Sequence, residues 1–278
     1  MHDKAFKFHD LHVTGNTFIM ANAWNPGSAM LLEDAGFNAL GTTSAGIAFS
    51  HGLPDYEGEI SLDTALDETA RIARAVQVPV SMDAENGYGH SAHSVSENME
   101  RIAACGVAGA SIEDYTGDRG NPLYDIELAV ERVAAAREAT GSLGYPFTLT
   151  ARAECYLTGH SDPFHESVKR VNRYRQAGAD CLFVPGIRDI DTIRDMVREV
   201  DGPLNVVMGL SANPIFMAEL QDAGVARISI GGSLARATLG LVRQAAREML
   251  EQGTFGFSSQ QIADAELCAL FSTRRQEQ

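Results

Sequence analysis

Acidic residues recur in short motifs in the middle of the sequence, where they could bind a metal ion together. Asp83 and Glu85 lie in Asp-Ala-Glu-Asn-Gly-Tyr-Gly, and Glu113 lies further along in Ser-Ile-Glu-Asp. Several carboxylates in one site repel one another unless some are protonated or a cation lies between them. Oxygen ligands favour a hard ion, so we expect Mg²⁺, with Mn²⁺ as the alternative. Zinc is disfavoured because no His/Cys ligand spacing accompanies the acids.

A second group of residues could bind the anionic end of a small molecule. Residues 44–46, Ser-Ala-Gly, offer small side chains and backbone N–H groups that suit a carboxylate or phosphate oxygen. A simple strand-to-loop turn is the alternative for this segment. Gly231-Gly232-Ser233 could hold an anion at a helix N-terminus, or could be an ordinary helix cap. The predicted substrate-binding residues are Ser44, Ala45, Gly46, Arg152 and Asn205.

The elements that position these residues follow from the alternation of short apolar runs with amphipathic stretches. Continuous apolar runs bounded by Gly, Pro or Asp are typical of strands buried on both faces. The predicted strands are residues 18–21, 39–44, 80–85, 110–114, 148–154, 181–184, 205–208 and 227–230. The predicted helices are residues 29–35, 62–76, 95–104, 126–138, 163–177, 190–200, 214–223 and 234–252.

This order predicts an α/β fold, a (β/α)8 TIM-type barrel. A doubly wound open sheet is the alternative. It would need a Gly-rich phosphate loop after the first strand, where residues 21–26 read Ala-Asn-Ala-Trp-Asn-Pro. Several predicted helices end in glycine, which supplies the left-handed residue that stops a helix. These glycines are Gly36, Gly106, Gly178 and Gly224.

Functional residues of such a barrel lie at the carboxyl ends of the strands. Side chains alternate along a strand, so Asp83 and Glu85 are predicted to share one face, as are Arg152 and Glu154. Asp114 has the opposite parity to Glu113, which indicates a cap or a loop contact. Cys155 has the opposite parity to Arg152 and is interpreted as a small buried residue.

Composition narrows the class of protein. The chain has 278 residues and a formal net charge of −15, which argues against partners such as nucleic acid or an anionic membrane. Four separated cysteines fit a reducing compartment, and no run of about 18 apolar residues occurs, so we expect a cytoplasmic protein.

Residues 1–252 are predicted to form the barrel and 253–278 a helical tail. Leu267, Leu270 and Phe271 follow helical spacing in that tail, which should pack on its own barrel or on a partner subunit.

The motifs together resemble the isocitrate lyase/phosphoenolpyruvate mutase superfamily, in the order in which that superfamily has them. They are Gly41-Thr-Thr-Ser-Ala-Gly46, His51-Gly-Leu-Pro-Asp55, Asp83-Ala-Glu-Asn-Gly-Tyr-Gly89, Ser111-Ile-Glu-Asp114 and Thr150-Ala-Arg-Ala-Glu154. The resemblance implies that Asp83, Glu85 and Glu113 hold Mg²⁺ largely through water, and Glu85 stands where the family more often has Asp. It also implies an acid near the metal at Asp55, an arginine for substrate oxygens at Arg152, and a tetramer that swaps its C-terminal helix.

The loop after the fourth strand distinguishes the branches of this superfamily. Residues 115–124 read Tyr-Thr-Gly-Asp-Arg-Gly-Asn-Pro-Leu-Tyr, without the Lys-Lys-Cys-Gly-His-like motif of isocitrate-type lyases. Arg119 and Asn121 are its candidate catalytic residues, beside Asp55 and Arg152. The leading hypothesis is a Mg²⁺-dependent lyase or decarboxylase that acts on an oxaloacetate-like 2-oxo acid through a pyruvate-type enolate. The alternatives are P–C bond chemistry on phosphonopyruvate or phosphoenolpyruvate, and a 2-oxo-acid binding protein without turnover.

Overall fold

Eight parallel strands form a closed barrel in chain order, in a computed structural model that describes residues 1–13, 15–55, 59–210 and 215–273. The last strand pairs with the first, which confirms the predicted barrel and rules out the open doubly wound sheet. The strands are β1 (Phe18–Ala23), β2 (Leu40–Thr42), β3 (Val80–Asp83), β4 (Gly109–Glu113), β5 (Thr148–Arg152), β6 (Cys181–Phe183), β7 (Leu204–Val207) and β8 (Arg227–Ser229).

Helices surround the barrel and bury their apolar faces against the strands. Among the described residues they are α1 (His2–Val13), α2 (Pro26–Asp34), α3 (Ser44–Ser50), α4 (Leu62–Ala75), α5 (Ala92–Ala104), α6 (Ile126–Gly141), α7 (Pro163–Gln176), α8 (Ile190–Glu199), α9 (Met217–Asp222), α10 (Ser233–Arg247) and α11 (Asp264–Thr273). The predicted glycine stops at Gly36, Gly106, Gly178 and Gly224 all have positive φ. None of the described helices is long and apolar enough to cross a membrane.

Three strands end two residues earlier than the apolar runs predicted. The prediction of strands over 39–44, 80–85 and 148–154 was wrong at the carboxyl ends, because β2, β3 and β5 stop at Thr42, Asp83 and Arg152. After β3 the backbone turns, with the Gly87 N–H donating to the Ala84 carbonyl over 2.7 Å. Glu85 has a φ of 46°. Strand alternation therefore does not explain where the Glu85 side chain lies.

Two helices were not predicted. Helix α1 packs Phe8 among residues at the amino ends of the strands, so it covers that end of the barrel. Helix α3 begins at Ser44, within the segment predicted as a strand end and loop, and the Thr43 side chain caps it by accepting from the Gly46 N–H. The predicted helix over 214–223 is observed as α9, and its predicted first residue, Pro214, lies outside the described residues.

The C-terminal segment packs little of its apolar surface on its own barrel. Helix α10 continues into a π-helical turn at Glu248–Gln252 and a 3-10 turn at Gly256–Gln260 before α11. Leu250 is 87% exposed, Phe255 65% and Val242 63%. Helix α11 does lie against α2, with the Phe271 ring near Gly27.

Candidate active site

One cavity opens at the carboxyl ends of the strands, and most of the predicted site residues line it. Its volume is about 460 Å³. The predicted residues in its wall are Ser44, Ala45, Asp55, Asp83, Glu85, Glu113, Arg152 and Asn205. The barrel thus brings together side chains that lie far apart in the sequence, at the end of the barrel where such enzymes carry their active sites.

Asp83, the last residue of β3, is held from two neighbouring segments. Its Oδ2 atom accepts from the backbone N–H and from the hydroxyl of Ser44, each over 3.1 Å. Its own N–H donates to the Thr42 hydroxyl over 2.9 Å. The Ser44 hydroxyl also lies 3.3 Å from Oδ1 of Asp55. In this arrangement Ser44 links two acids of the cavity, in addition to its predicted role at a substrate anion.

The loop after β3 places Glu85 in the cavity through an unusual backbone. Glu85 and Tyr88 both have positive φ, 46° and 55°, although neither is glycine, and each such residue costs about 1–3 kcal/mol. The Tyr88 hydroxyl donates to Oε1 of Glu85 over 3.2 Å. Burial and then the nearby carboxylate of Glu85 raise the pKa of Tyr88, so its phenol keeps the proton that it donates.

Arg132 on α6 fixes this loop from behind. Its guanidinium donates to the backbone carbonyls of Asn86, Gly89 and His90 and stacks 4.1 Å from the ring centroid of Tyr124. Arg132 is only 1% exposed. A buried charge needs hydrogen bonds to replace its lost hydration, and the three carbonyls supply them. The backbone on either side of Tyr88 is therefore held in one conformation.

Arg152 lies between two carboxylates. Its Nη1 atom is 3.0 Å from Oε2 of Glu113, and its Nε atom pairs with Oε1 of Glu154. Burial opposes the charged form of Arg152, but Glu113 and Glu154 outweigh it and raise the pKa of Arg152. Burial raises the pKa of Glu154, and Arg152 opposes that rise. Arg152 is therefore a permanent cation whose fork is oriented by the acids on either side.

Asp114 and Cys155 lie outside the cavity, as their parity predicted. The Asp114 carboxylate is buried and accepts from the Glu154 N–H over 2.8 Å, from the Tyr174 hydroxyl over 2.6 Å and from Arg170 over 3.1 Å. It therefore joins β4 to the segment that follows β5. Cys155 is fully buried, and burial raises the pKa of its thiol to about 11, which leaves the thiol protonated.

The charges in the cavity wall suit a hydrated divalent cation. Among the described lining residues, five are acids (Asp55, Asp83, Glu85, Glu113 and Glu154) and three are arginines (Arg152, Arg227 and Arg236). The formal excess of two negative charges equals the charge of one divalent ion. Within the described part of the chain no three His, Cys, Asp or Glu side chains are placed to bind one ion directly. Carboxylate oxygens are the ligands that a hard ion such as Mg²⁺ prefers, so the chemistry of this donor set fits Mg²⁺.

Arg119 and Asn121 are not brought to the cavity in this structure. Residues 115–123 form a small hairpin closed by a bridge between Tyr115 and Leu123, and both candidates lie exposed near its tip. The backbone of Asn121 is used inside the hairpin, where its carbonyl accepts from the Thr116 hydroxyl over 2.6 Å. Both residues are exposed there and neither lines the cavity, so their catalytic role stays a prediction.

Two predicted substrate-binding residues have structural contacts that the sequence did not indicate. Gly46 does not line the cavity; a Cβ there would lie 2.7 Å from side-chain atoms of Thr43 and Trp24, so only glycine fits. Asn205 lies deep in the cavity, where its amide oxygen accepts from Nε of Arg227 over 2.8 Å and its nitrogen donates to the Ser229 hydroxyl over 3.0 Å. Their roles toward substrate stay predictions.

Sequence reasoning missed several residues of the cavity wall. Ser81 and Ser111 precede the acids of β3 and β4 by two positions, and Ser229 follows Arg227 by two. The same alternation that identified the acids, continued down each strand, would have found them. Arg236 carries a different signal, since it stands one helical turn after the Gly-Gly-Ser motif that opens α10.

Relatives of known sequence share most of the chain. A protein from Mycobacterium tuberculosis, described as uncharacterized, is 33% identical over 241 residues, which cover 86% of this chain and 87% of the relative. An oxaloacetate decarboxylase from Pseudomonas entomophila is 29% identical, covering 84% of this chain and 80% of the relative.

Solved structures share the whole architecture. A crystal structure of a Burkholderia cenocepacia protein assigned to the lyase/mutase class is 45% identical, with a TM-score of 0.93, and covers 97% of this chain and 96% of that one. A phosphonopyruvate hydrolase in complex with oxalate and Mg²⁺ is 25% identical, with a TM-score of 0.87, covering 99% and 96%. The family model for phosphoenolpyruvate phosphomutase matches residues 8–250. The chain therefore belongs to the phosphoenolpyruvate phosphomutase family, within the isocitrate lyase/phosphoenolpyruvate mutase superfamily, and the expected enzyme of this lyase type is confirmed.

Proposed function

We propose that this enzyme is a Mg²⁺-dependent lyase or decarboxylase for a small 2-oxo acid of the oxaloacetate type. The observation that carries the proposal is the convergence of Asp83, Glu85, Glu113 and Arg152 on one cavity. A carboxylate cluster suits a divalent cation, and a guanidinium fork suits the carboxylate of a 2-oxo acid. The relatives that act on oxaloacetate, and the hydrolase that binds oxalate with Mg²⁺, support the same ligand class.

The proposed reaction breaks a bond from C3, the carbon next to the 2-oxo carbonyl of the substrate. In oxaloacetate the bond between C3 and C4 breaks, C4 leaves as CO₂, and the electron pair forms the enolate of pyruvate, which is then protonated at C3. Bound Mg²⁺ would act as a Lewis acid for the charge that develops on the 2-oxo oxygen. Asp83, Glu85 and Glu113 would hold the ion, largely through water, and Asp55 would lie near it.

The chain's own residues would bind and orient the substrate. Arg152, held between Glu113 and Glu154, offers its remaining N–H groups to the 2-oxo acid oxygens. Ser44 and Ala45, at the N-terminus of α3, line the cavity beside Asp83, where the Ser44 N–H already donates to the Asp83 carboxylate, so Ala45 would present its backbone N–H to the substrate anion. Ser44, Gly46 and Asn205 stay in the predicted substrate-binding set. Interactions that strengthen as the enolate forms lower the barrier more than those that bind the ground state equally.

The hairpin after β4 favours decarboxylation over isocitrate-type cleavage. Residues 115–124 contain no Cys, His or Lys that could take a proton from a substrate hydroxyl. Decarboxylation needs an electron sink and a proton for C3 but no such base. Arg119 and Asn121 remain candidate catalytic residues, provided that the hairpin moves to bring them over the cavity.

Two other functions are distinguishable. P–C bond chemistry on phosphonopyruvate is favoured by the similarity to a phosphonopyruvate hydrolase, and ³¹P NMR of a phosphonopyruvate incubation would detect it. A 2-oxo-acid binding protein without turnover would bind pyruvate or 2-oxoglutarate and release no product.

The deciding experiment is Mg²⁺-dependent release of pyruvate from oxaloacetate and from phosphonopyruvate, with and without a chelator. We expect chelator-sensitive release from oxaloacetate well above its uncatalysed decarboxylation, and its loss in Arg152→Gln. Release from phosphonopyruvate alone would assign hydrolysis of its P–C bond, and release from neither would refute both the decarboxylase and the hydrolase. Conversion of phosphonopyruvate to phosphoenolpyruvate releases no pyruvate and would be detected by the ³¹P NMR experiment.

We further propose a cytoplasmic homotetramer built from a barrel unit, residues 1–252, and a tail, residues 253–278, that docks on a neighbouring subunit. The exposed apolar side chains of Val242, Leu250 and Phe255 support the oligomer, because an apolar surface of that kind is commonly buried against another protein chain. Light scattering should give the mass of four chains. Removal of residues 253–278 should reduce that mass.

A further inference from the structure

The cavity continues below the predicted metal site into the interior of the barrel. Ser81 and Ser111 line it two residues before the acids of β3 and β4, and Asn205, Arg227 and Ser229 line it from β7 and β8. Barrel interiors of this type are usually filled by bulky branched side chains. Here the side chains are small or polar, so a space remains between them. We call this space, lined by Ser81, Ser111, Asn205, Arg227 and Ser229, the inner chamber.

Arg227 brings a positive charge to the inner chamber, although it is only 2% exposed and its contacts are neutral. Its Nε atom donates to the Asn205 amide oxygen over 2.8 Å, and its Nη2 atom donates to the Thr150 hydroxyl over 3.0 Å. Its Nη1 atom is 3.1 Å from Nε2 of His12. Burial lowers the pKa of Arg227, and among the described residues no carboxylate is close enough to offset that effect. A guanidinium still keeps its proton in proteins, and a buried charge usually has a partner of opposite sign.

The inner chamber also has hydrogen-bond donors that the chain does not use. Asn205 donates one amide hydrogen to the Ser229 hydroxyl over 3.0 Å, which leaves the second. The hydroxyls of Ser81 and Ser111 have no hydrogen-bond partner within the described part of the chain, and both residues line the cavity. Ser111 is the register partner of Thr150, so it lies beside the strand position that the guanidinium contacts. One cation and several donors, without an anionic acceptor, form a donor set for an anion.

We propose that the inner chamber binds a small monovalent anion of the halide type, held by the Arg227 guanidinium and by the hydroxyls of Ser81 and Ser111. Water would satisfy the donors, but it would not balance the buried charge. One cation without a carboxylate calls for one negative charge, and a space inside the barrel favours a compact ion. Two residues along a strand span about 6–7 Å, so the anion lies below Asp83 and Glu113 and is separate from the predicted metal and substrate sites. Its binding requires neither Mg²⁺ nor turnover.

An anion that binds only the folded chain stabilises that chain by mass action. Once the anion concentration exceeds the dissociation constant, the folding equilibrium constant of a chain with one site rises about tenfold for each tenfold rise in anion. The test is urea unfolding at one protein concentration over about a hundredfold range of chloride concentration. Gluconate replaces chloride to keep the ionic strength constant, because this much larger anion screens surface charges without serving as the occupant.

The variants are Ser81→Ala, Ser111→Ala and Arg227→Gln, with Ser167→Ala as the matched control. Ser167 is a buried serine of α7 outside the cavity wall. We expect wild-type protein and Ser167→Ala to show the same chloride dependence. Ser81→Ala and Ser111→Ala should each need about threefold to tenfold more chloride for the same stabilisation, the value of one hydrogen bond. Arg227→Gln should show no chloride dependence, and if it does not fold, the two serine variants decide.

Bromide shows where the anion binds, because its anomalous X-ray scattering distinguishes it from water. Crystals are exposed to bromide with and without Mg²⁺ and oxalate, the ligand pair of the related phosphonopyruvate hydrolase. We expect a bromide peak beside Arg227 in both conditions, because the inner chamber lies below the predicted substrate site.

The anion site is refuted if no bromide binds beside Arg227, if oxalate displaces that bromide, or if the serine variants leave the chloride dependence of wild-type protein unchanged. Bromide at Arg152 or Arg236 alone would mean that the mouth of the cavity, and not the inner chamber, binds the anion. Failure of the proposed function is separate, because it appears as wild-type protein that releases no pyruvate, whatever the halides show.

Discussion

His12 should make the stability of the fold fall as the pH drops below neutrality. It lies on α1, where its Nδ1 is 2.8 Å from the Phe8 carbonyl and its Nε2 is 3.1 Å from Nη1 of Arg227. Because Arg227 can only donate, Nε2 must accept, and the imidazole must be neutral. Burial, and then the charge of Arg227, lower the pKa of His12 from 6.5 to about 3.

The magnitude follows from linkage. Above pH 6.5 the imidazole is neutral in the folded and the unfolded chain, and the native contacts are intact. As the pH falls from 6.5 towards 3, the unfolded chain takes up a proton that the folded chain cannot, so stability is lost across this window. One pKa unit corresponds to about 1.4 kcal/mol, so the loss at about pH 5.5 is about 1.4 kcal/mol.

The assay is urea unfolding of wild-type protein and His12→Gln at about pH 7.5 and about pH 5.5, at one protein concentration. The lower pH stays above the sequence pI of about 4.9. Glutamine can accept the Arg227 hydrogen bond and cannot be protonated, so His12→Gln should lose about 1.4 kcal/mol less than wild-type protein between the two pH values. His93→Gln, at an exposed position of α5 away from His12, is the control and should behave as wild-type protein. Equal losses in wild-type protein and His12→Gln would refute the reasoning.

Three other predictions concern the cavity. Glu85→Gln should raise the Mg²⁺ concentration for half-maximal activity by roughly tenfold or more. Tyr88→Phe should raise it by less, because the phenol acts only through the Glu85 carboxylate. Mg²⁺ titrations of activity check both, and an unchanged titration in Glu85→Gln would remove Glu85 from the metal site. Arg132→Met should lower the free energy of unfolding by about 3 kcal/mol, because it leaves backbone carbonyls without hydrogen bonds. It should also speed amide hydrogen exchange in residues 84–90. Unchanged exchange there would contradict the role of Arg132 in anchoring the loop. Glu154→Gln should lower kcat/KM by about tenfold with little change in Mg²⁺ requirement, because Arg152 loses one of its two orienting charges. A larger change in Mg²⁺ requirement than in kcat/KM would place Glu154 with the metal ligands instead.

The barrel could be predicted from the sequence because each strand is buried on both faces. Runs such as those at 181–184 and 205–208 contain no regular alternation, and the glycines that stop the helices are local signals. Helix α1 gave no comparable signal. In His2–Val13 only Ala5, Phe8 and His12 are buried, too few to form an apolar stripe. Its position depends on Phe8 and His12 finding partners on distant strands, which no local pattern contains.

The site was predicted as a set of residue types, and its geometry was not. Asp83, Glu113 and Arg152 end their strands, so strand order alone places them together. Arg119 and Asn121 lie near the tip of a hairpin, outside the cavity wall, and no local pattern in the sequence indicates that position. Arg236 was missed because it lies on the helix rather than at the strand end, although the glycines before it mark the point where the chain passes the cavity.

The position of Glu85 is set by the loop that carries it. Glu85 is not at the strand end but in the turn beyond it, in a left-handed conformation that a non-glycine residue adopts only under constraint. That constraint comes from outside the turn: Arg132 holds the carbonyls of Asn86, Gly89 and His90, and the Asn98 amide donates to those of Gly87 and Tyr88, each over 3.0 Å. The Tyr88 hydroxyl then fixes the carboxylate itself. These contacts hold the backbone of the loop in a strained conformation. We infer that the strain is retained because it fixes the position of the Glu85 carboxylate in the cavity.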